Sequence, residues 1–272
     1  MPIGNSRTWR VCLLGFLLLV SLGPSARAQG TRSKLDGMWS DPPQTAVGTF
    51  CFAWCTDAGI DYLNKLLDNP ANDARPFEQL MSEADRYQRQ NYIRARLTDV
   101  AAKAYPQNPA DDPAFLQCEP YGLGHQMVAR HQLEIRQRGN DRIELRYGEW
   151  DARRTAYLDG RRRPPTEAPT LLGYSVGRWE GETLVIETAG IKAGLMFGSD
   201  GAKHSDQLKT TERYTRSQDG KTLLLTATFE DPLSLREPVV LKKIWSWAPG
   251  SEIAPYKDCQ RPDEFSKSGK RP

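Results

Sequence analysis

The chain has 272 residues, of which 39% are hydrophobic, with 37 lysines and arginines against 34 aspartates and glutamates. Three of those arginines, and no acidic residue, lie within residues 1–28, so the rest of the chain carries equal numbers of basic and acidic side chains. A neutral chain has no global attraction for nucleic acid or for an anionic membrane surface, so we expect neither as a partner.

Residues 1–28 have the three parts of a cleavable secretory signal peptide. Arg7 and Arg10 form a positive segment, an apolar run follows over 11–22, and Ala26-Arg27-Ala28 supplies a cleavage site with small residues. The run is too short to cross a hydrocarbon core of about 30 Å as a helix. We therefore predict a periplasmic or secreted protein without a transmembrane segment in the mature chain; the alternative is a buried N-terminal helix.

A helical insertion is predicted at about 58–105, after a short strand candidate at 35–39. Apolar residues follow a helical period from Ile60 to Leu67 and again from Phe77 to Ala95. The opposite face of the second stretch is charged, which predicts a helix on the protein surface.

The segment from 124 to 248 alternates between apolar and polar residues and contains hairpin turns such as Gln218-Asp219-Gly220. Strands are predicted near 125–137, 142–149, 152–158, 171–179, 183–189, 207–216, 222–229 and 238–247. Strands joined by short turns favour a mainly β fold, an antiparallel meander that closes into a barrel, with a two-sheet sandwich as the alternative. We predict one barrel domain over 29–260 and a flexible tail over 261–272.

Four cysteines remain after the signal peptide: Cys51, Cys55, Cys118 and Cys259. An even number in an oxidising compartment favours disulfides, and four thiols allow three connectivities. We predict a local Cys51–Cys55 bond and a long-range Cys118–Cys259 bond. A zinc site is the alternative, but the C-x3-C spacing is a poor match to the usual paired C-x2-C.

Strand alternation predicts which ionisable side chains face the interior. His131, Glu149 and Glu212 fall on faces that are otherwise largely apolar, and Arg154 shares a face with Ala156. Burying an unpaired charge costs several kcal/mol, so these groups must be paired or must line a wet cavity. Each residue taken singly fits a structural role, whereas the set fits a small-molecule site.

A catalytic interpretation gives these residues roles in proton transfer. His131 is the predicted general base and Glu149 or Glu212 the acid, with Arg154 or Tyr174 stabilising a developing oxyanion. The candidates for ligand contact are Tyr147, Trp179, His204 and Tyr214. The structural alternatives are a surface position for His204 and a core position for Trp179.

Several motifs resemble those of a widespread family of exported bacterial proteins, most of which have no assigned activity. The motifs are 117–122 (QCEPYG), Arg153-Arg154, 157–161 (YLDGR), 173–188 (GYSVGRWEGETLVIET), His204-Ser205, Leu208, Glu212-Arg213 and 230–232 (EDP). The resemblance covers 35–39 and most of 115–260, and it implies an exported, β-rich, lipocalin-like domain. The chain departs from that family's pattern at Ala129-Arg130-His131, where prolines are expected, and in its helical insertion.

Two functional hypotheses follow. The first is an exported barrel that binds a small hydrophobic or aromatic molecule in its interior. The alternative is a cofactor-independent lyase, dehydratase or isomerase that uses the His and Glu acid–base groups. No nucleotide, phosphate-loop or nucleophile motif is present, so no cofactor is predicted. We predict no metal; a site formed by His131, His204 and Glu212 is the remaining alternative.

Overall fold

The computed structural model describes residues 35–42, 46–104, 120–197 and 202–254. The predicted signal peptide, Cys118, Cys259 and the predicted tail lie outside the described residues.

Nine strands of the described ranges close into a barrel. Their bounds are β1 Gly37–Ser40, β2 Leu133–Arg138, β3 Arg142–Tyr147, β4 Arg153–Tyr157, β5 Tyr174–Glu180, β6 Thr183–Ala189, β9 Lys209–Arg216, β10 Thr222–Glu230 and β11 Val239–Trp247. Around the barrel they follow the spatial order β1-β11-β10-β9-β6-β5-β4-β3-β2. Two shorter strands, β7 Gly194–Leu195 and β8 Lys203–His204, pair with each other outside the barrel. The prediction of a mainly β fold with a closed barrel is confirmed.

The first strand is the one that closes the barrel. In β1, Trp39 is opposite Trp247 of β11 on one side and Leu133 of β2 on the other. Trp39 is fully buried, and its indole Nε1 donates to the Leu35 carbonyl oxygen at 3.0 Å. The short strand predicted from the sequence at 35–39 therefore completes the sheet.

The barrel differs from a simple antiparallel meander in one pairing. Strands β4 and β5 are parallel, with Ala156 opposite Ser175 and Tyr157 opposite Val176. Parallel neighbours need a long connection that returns to the same end of the sheet, and the segment 158–173 provides it. The remaining barrel pairings are antiparallel.

The first long strand was predicted wrongly. The segment predicted as a strand over 125–137 contains the end of a short helix, Leu123–Val128, and the strand begins only at Leu133. Leu123, Met127 and Val128 are buried at helical spacing. A short apolar run of this kind does not distinguish helix from strand by periodicity, which explains the error.

Helices occupy the predicted insertion, and that prediction is confirmed. Their bounds are α1 Ala46–Phe50, α2 Asp57–Leu67, α3 Phe77–Gln88, α4 Asp99–Lys103 and, before β2, α5 Leu123–Val128. Shorter helical turns cover Pro70–Asn72, Arg89–Ile93, Arg94–Arg96 and Glu149–Asp151. No helix within the described ranges is long and apolar enough to cross a membrane.

Helices α2 and α3 pack against each other and are tied to the barrel through a disulfide loop. Cys51 and Cys55 are bonded, which confirms the predicted local disulfide. Cys55 exchanges backbone hydrogen bonds of 2.9 and 2.8 Å with Lys242 of β11, and the Ile244 amide donates to the Cys51 carbonyl at 3.2 Å. The loop therefore fastens the helical segment to one barrel strand.

Candidate functional site

Arg154 and Glu212 form a bidentate ion pair inside the barrel, where strand alternation predicted that both side chains lie. Arg154 Nη1 lies 2.8 Å from Glu212 Oε1, and Nη2 contacts Oε2. Arg154 Nε donates to the Tyr147 hydroxyl at 3.0 Å, and the Tyr214 hydroxyl donates to Glu212 Oε2 at 2.9 Å. The side chains of the pair are only 3% and 0% exposed. Four of the predicted site residues thus meet in one buried network.

Hydroxyl groups complete the hydrogen bonding of this network. Ser175 and Thr188 each lie 3.3 Å from Arg154 Nη1 and 2.8 Å from each other, and Thr210 donates to Glu212 Oε1 at 3.4 Å. The members come from β3, β4, β5, β6 and β9. Because both charges are paired and hydrogen-bonded, the network fastens five strands together.

The network holds its protons firmly at neutral pH. Burial raises the pKa of Tyr147 to about 12 and raises that of Tyr214 well above its ordinary value. Burial alone would lower the pKa of Arg154, but the Glu212 carboxylate raises it well above the ordinary value. These three groups are therefore poor partners for proton transfer near pH 7, where an effective catalytic group titrates.

Apolar side chains of the strands form the described core of the barrel. Leu133, Leu145, Ile186 and Phe229 are fully buried, and Leu225 is 1% exposed. All five belong to the main hydrophobic core. A ligand cavity in the barrel interior stays a prediction, and one of the cavities described below reaches the core at Leu145 and the ion-pair network at Arg154.

His125, His131 and Glu149 form a second cluster at one end of the barrel. Glu149 Oε2 lies 2.8 Å from His125 Nε2, and Glu149 Oε1 lies 3.6 Å from His131 Nε2. The sequence groups His131 and Glu149 with Glu212 as one set for a small-molecule site, but the structure places them in a cluster of their own, because Glu212 is paired with Arg154. β2 begins only at Leu133, after His131, and β3 already ends at Tyr147, before Glu149. Because both residues lie outside the strands, strand alternation does not determine the direction of their side chains.

Sequence reasoning missed His125. It lies in α5, and its ring stacks on Tyr121 with 4.0 Å between centroids. The four-residue spacing of Leu123 and Met127, directly after Gly122, was the available helix signal. Recognising a helix at this position would have indicated that His125 does not follow strand alternation.

Glu149 is held as a carboxylate. Burial is the largest influence and would raise its pKa, but the neighbouring His125 and His131 imidazoles outweigh it and lower the pKa to about 2. A group with that pKa does not supply protons at neutral pH, which argues against the predicted role of Glu149 as the acid. It is instead suited to orienting two imidazoles and stabilising positive charge on them.

The turn that carries Glu149 has a strained backbone. Trp150 and Asp151 both lie in the left-handed region, with φ of 60° and 52°. Each such residue costs on the order of 1 kcal/mol or more, and strain of this kind concentrates at functional sites. Asp151 holds the turn through ion pairs with Arg146 and, at 3.0 Å, with Arg153.

A cavity of about 660 Å³ lies beside this cluster, between the barrel and the helical segment. We call it the helix-side cavity. Aromatic and aliphatic side chains form much of its wall: Phe50, Phe52, Trp54, Met81, Val128 and Phe197. His125, His131, Glu149 and Arg130 also line it. The Arg130 guanidinium carbon lies 3.9 Å from the centroid of the Phe52 ring. The cavity therefore combines an apolar wall with acid–base groups.

Lys243, on β11, contacts the segment that precedes His131. It is 2% exposed, its Nζ donates to the Ala129 carbonyl oxygen, and it lies 4.5 Å from the centroid of the Trp245 ring. Burial lowers its pKa to about 7, against the opposing charges of Asp41 and Glu149. Lys243 thus anchors the chain just before His131.

A second cavity, of about 760 Å³, lies over β3 and β4 and reaches Arg154 between β4 and β5. We call it the strand-side cavity. Tyr174, a predicted oxyanion stabiliser, lines it with its ring 5.4 Å from that of Tyr157. Tyr174 therefore lies in a different cavity from His131.

The last two predicted contact residues lie elsewhere. Trp179 is half-buried on β5 and packs against the main core. His204 is buried at 4% exposure on β8, with Nδ1 2.8 Å from the Ser205 carbonyl oxygen. Among the described residues, no group of three histidine, cysteine or acidic side chains is placed to hold a metal ion. The alternative set of His131, His204 and Glu212 is not brought together.

No protein-family profile matches the chain, and a search of curated proteins finds no match either. Among solved structures, a mutant of the fluorescent protein UnaG is similar over 45% of this chain and 73% of its own, with 19% sequence identity and a TM-score of 0.27. The closed barrel is established by its own strand pairing.

Proposed function

We propose that this protein binds a small apolar or aromatic molecule in the helix-side cavity. The observation that carries the proposal is the wall formed by Phe52, Trp54 and Phe197 next to a few convergent polar groups. Small-molecule sites are typically concave, largely apolar and about 300–1,000 Å³ in volume, and this cavity of about 660 Å³ lies within that range.

The strand-side cavity is larger but less suited to an apolar ligand. Several of its charged side chains are paired with one another, for example Arg136 with Glu134 at 2.6 Å and Arg138 with Glu144 at 2.8 Å. An apolar molecule placed there would remove water from these charges without replacing their hydrogen bonds, which is unfavourable. The helix-side cavity is therefore the better candidate.

Export is the second part of the proposal. The signal-peptide pattern of residues 1–28 supports it, and so does the Cys51–Cys55 bond, since disulfides persist in oxidising compartments. Expression of the full chain in a Gram-negative host, followed by fractionation and mass determination, tests it. A periplasmic product beginning at Gln29 supports export, and an uncleaved cytoplasmic product contradicts it.

Binding is tested by thermal unfolding in the presence of 2-naphthol, a neutral aromatic probe. A ligand that binds only the native state stabilises it by about 2.7 kcal/mol at 100 times its Kd. We expect Phe52→Ala to abolish the shift in melting temperature. Tyr157→Ala, which removes an aromatic ring from the strand-side cavity, serves as the matched control and should retain it. A shift lost only in Tyr157→Ala would contradict the proposal.

A further inference from the structure

Two histidines share one carboxylate in the wall of the helix-side cavity, and binding alone gives no reason for this arrangement. We propose that the cavity is a catalytic site in which His131 moves a proton to and from a carbon atom next to a carbonyl group of the bound molecule. This inference rests on the proposed function and extends it from binding to chemistry.

The two histidines are held differently. His125 lies 2.8 Å from Glu149, stacks on Tyr121, and has a side chain 18% exposed. His131 lies 3.6 Å from Glu149, beyond normal hydrogen-bond length, and its side chain is 36% exposed. His131 is therefore the imidazole that a ligand can reach, and it is the catalytic residue. His125 is a positioning residue that holds the Glu149 carboxylate.

The surroundings of His131 indicate the substrate class. Arg130, its neighbour in the chain, lies over Phe52, and no ion pair or hydrogen bond joins its guanidinium to another part of the described chain. An unpaired guanidinium beside an aromatic wall suits an anion attached to an aromatic body. The structure thus points to an aromatic 2-oxo acid, in which an acidic C–H bond, a carbonyl group and a carboxylate lie within a few bonds of one another.

The reaction is a tautomerisation. His131 accepts the proton from the carbon next to the carbonyl group, and the C–H electron pair forms a carbon–carbon double bond. The carbonyl π pair moves to the oxygen, giving an enolate, while Glu149 stabilises the imidazolium and Arg130 holds the carboxylate of the substrate. His131 then returns a proton to the enolate oxygen or to the carbon. No atom or electron is gained or lost overall, so no oxidant, reductant or cofactor takes part.

The test follows exchange of the methylene protons of phenylpyruvate in D2O by proton NMR. A positioned acid–base group contributes about 10²–10⁴-fold, so we expect the wild type to exceed the buffer rate by at least about 100-fold. His131→Gln should return exchange to the buffer rate while phenylpyruvate still raises the melting temperature. Glu237→Gln, at a site where the glutamate side chain is 69% exposed and outside both cavities, is the control that should match the wild type.

Two further measurements separate the possible outcomes. Circular dichroism checks that His131→Gln is folded, and His131→Asn serves as a second variant. Phenylacetone lacks the carboxylate, so Arg130→Gln should slow exchange of phenylpyruvate but not of phenylacetone. A wild type no faster than buffer, or a folded His131 variant as fast as the wild type, overturns the inference. A melting shift with 2-naphthol in that same wild type shows that the proposed binding function survives.

Discussion

Gly148 and His131 lie so close together that a Cβ atom at position 148 would be 3.1 Å from the Cβ of His131. The same atom would be 2.9 Å from Oε1 of Gln132. The Gly148 amide also donates to the Gln132 carbonyl at 2.8 Å. The absence of a side chain at 148 therefore allows the chain before β2 to approach the turn that carries Glu149.

Gly148→Ala should displace His131 from Glu149. Inserting a methyl group into a close-packed contact typically costs about 1–3 kcal/mol, because neighbouring atoms must shift. We expect a lower melting temperature and slower exchange of phenylpyruvate. Gly181→Ala is the control for glycine replacement, since an added Cβ there meets nothing within 4 Å, although its positive φ makes that change strained as well. Unchanged exchange in Gly148→Ala would show that this contact does not position His131.

The Arg154–Glu212 pair predicts a large loss of stability when one partner is removed. Arg154→Met leaves the Glu212 carboxylate buried without its counter-ion, and breaking a buried pair in this way costs about 3–5 kcal/mol. Urea unfolding measures the loss. The double variant Arg154→Met/Glu212→Leu should recover much of it. Glu187→Gln, which removes a half-exposed partner of Arg178, should cost less than about 1 kcal/mol. Equal losses at the buried and exposed pairs would contradict this account.

Lys243 predicts a pH dependence of stability above neutrality. Its folded pKa, about 7, lies below the ordinary value of 10.5, so the unfolded chain binds more protons between these limits. Stability should therefore rise with pH from about 7 to 10.5, by at most about 4 kcal/mol, and the penalty is fully present below pH 7. Lys243→Met should remove this rise in melting temperature. Lys221→Met, at an exposed lysine, should keep it. A rise that persists in Lys243→Met would mean that another group carries it.

The cysteines give a prediction that reaches beyond the described residues. If Cys118 and Cys259 are bonded as predicted, the unfolded mature protein has no free thiol, and a thiol reagent reacts only after reduction. Cys51→Ser/Cys55→Ser should destabilise the protein by less than the roughly 3 kcal/mol of a 15-residue loop, because the bonded cysteines are only four apart. Two reactive thiols per unfolded chain would contradict the long-range bond.

The sequence predicted the barrel and its interior well wherever the strands are regular. Glu212 lies in β9 and Arg154 in β4, both inside long alternating runs, so strand parity placed them correctly. The predicted local disulfide followed from spacing alone. The inward positions of Glu212 and Arg154 and the Cys51–Cys55 disulfide all depend on patterns between residues close in the sequence, and such patterns can be identified from one sequence.

The end of the barrel could not be predicted in the same way. His131 and Glu149 lie just outside their strands, where alternation stops and a short helix or a strained turn sets the direction of each side chain. The left-handed backbone of Trp150 has no signature in residue type, since glycine or asparagine usually marks such a position. The contacts of His131 and Glu149 with the His125 region depend on how α5 packs against the barrel, and strand alternation carries no information about that packing.

The central claim is that a small aromatic molecule binds in the helix-side cavity, and intermolecular NOEs test it most directly. With 2-naphthol bound, the account predicts contacts from the ring protons of the probe to the methyl groups of Met81 and Val128. Contacts instead to Leu145 and Leu172, which line the strand-side cavity, would contradict it.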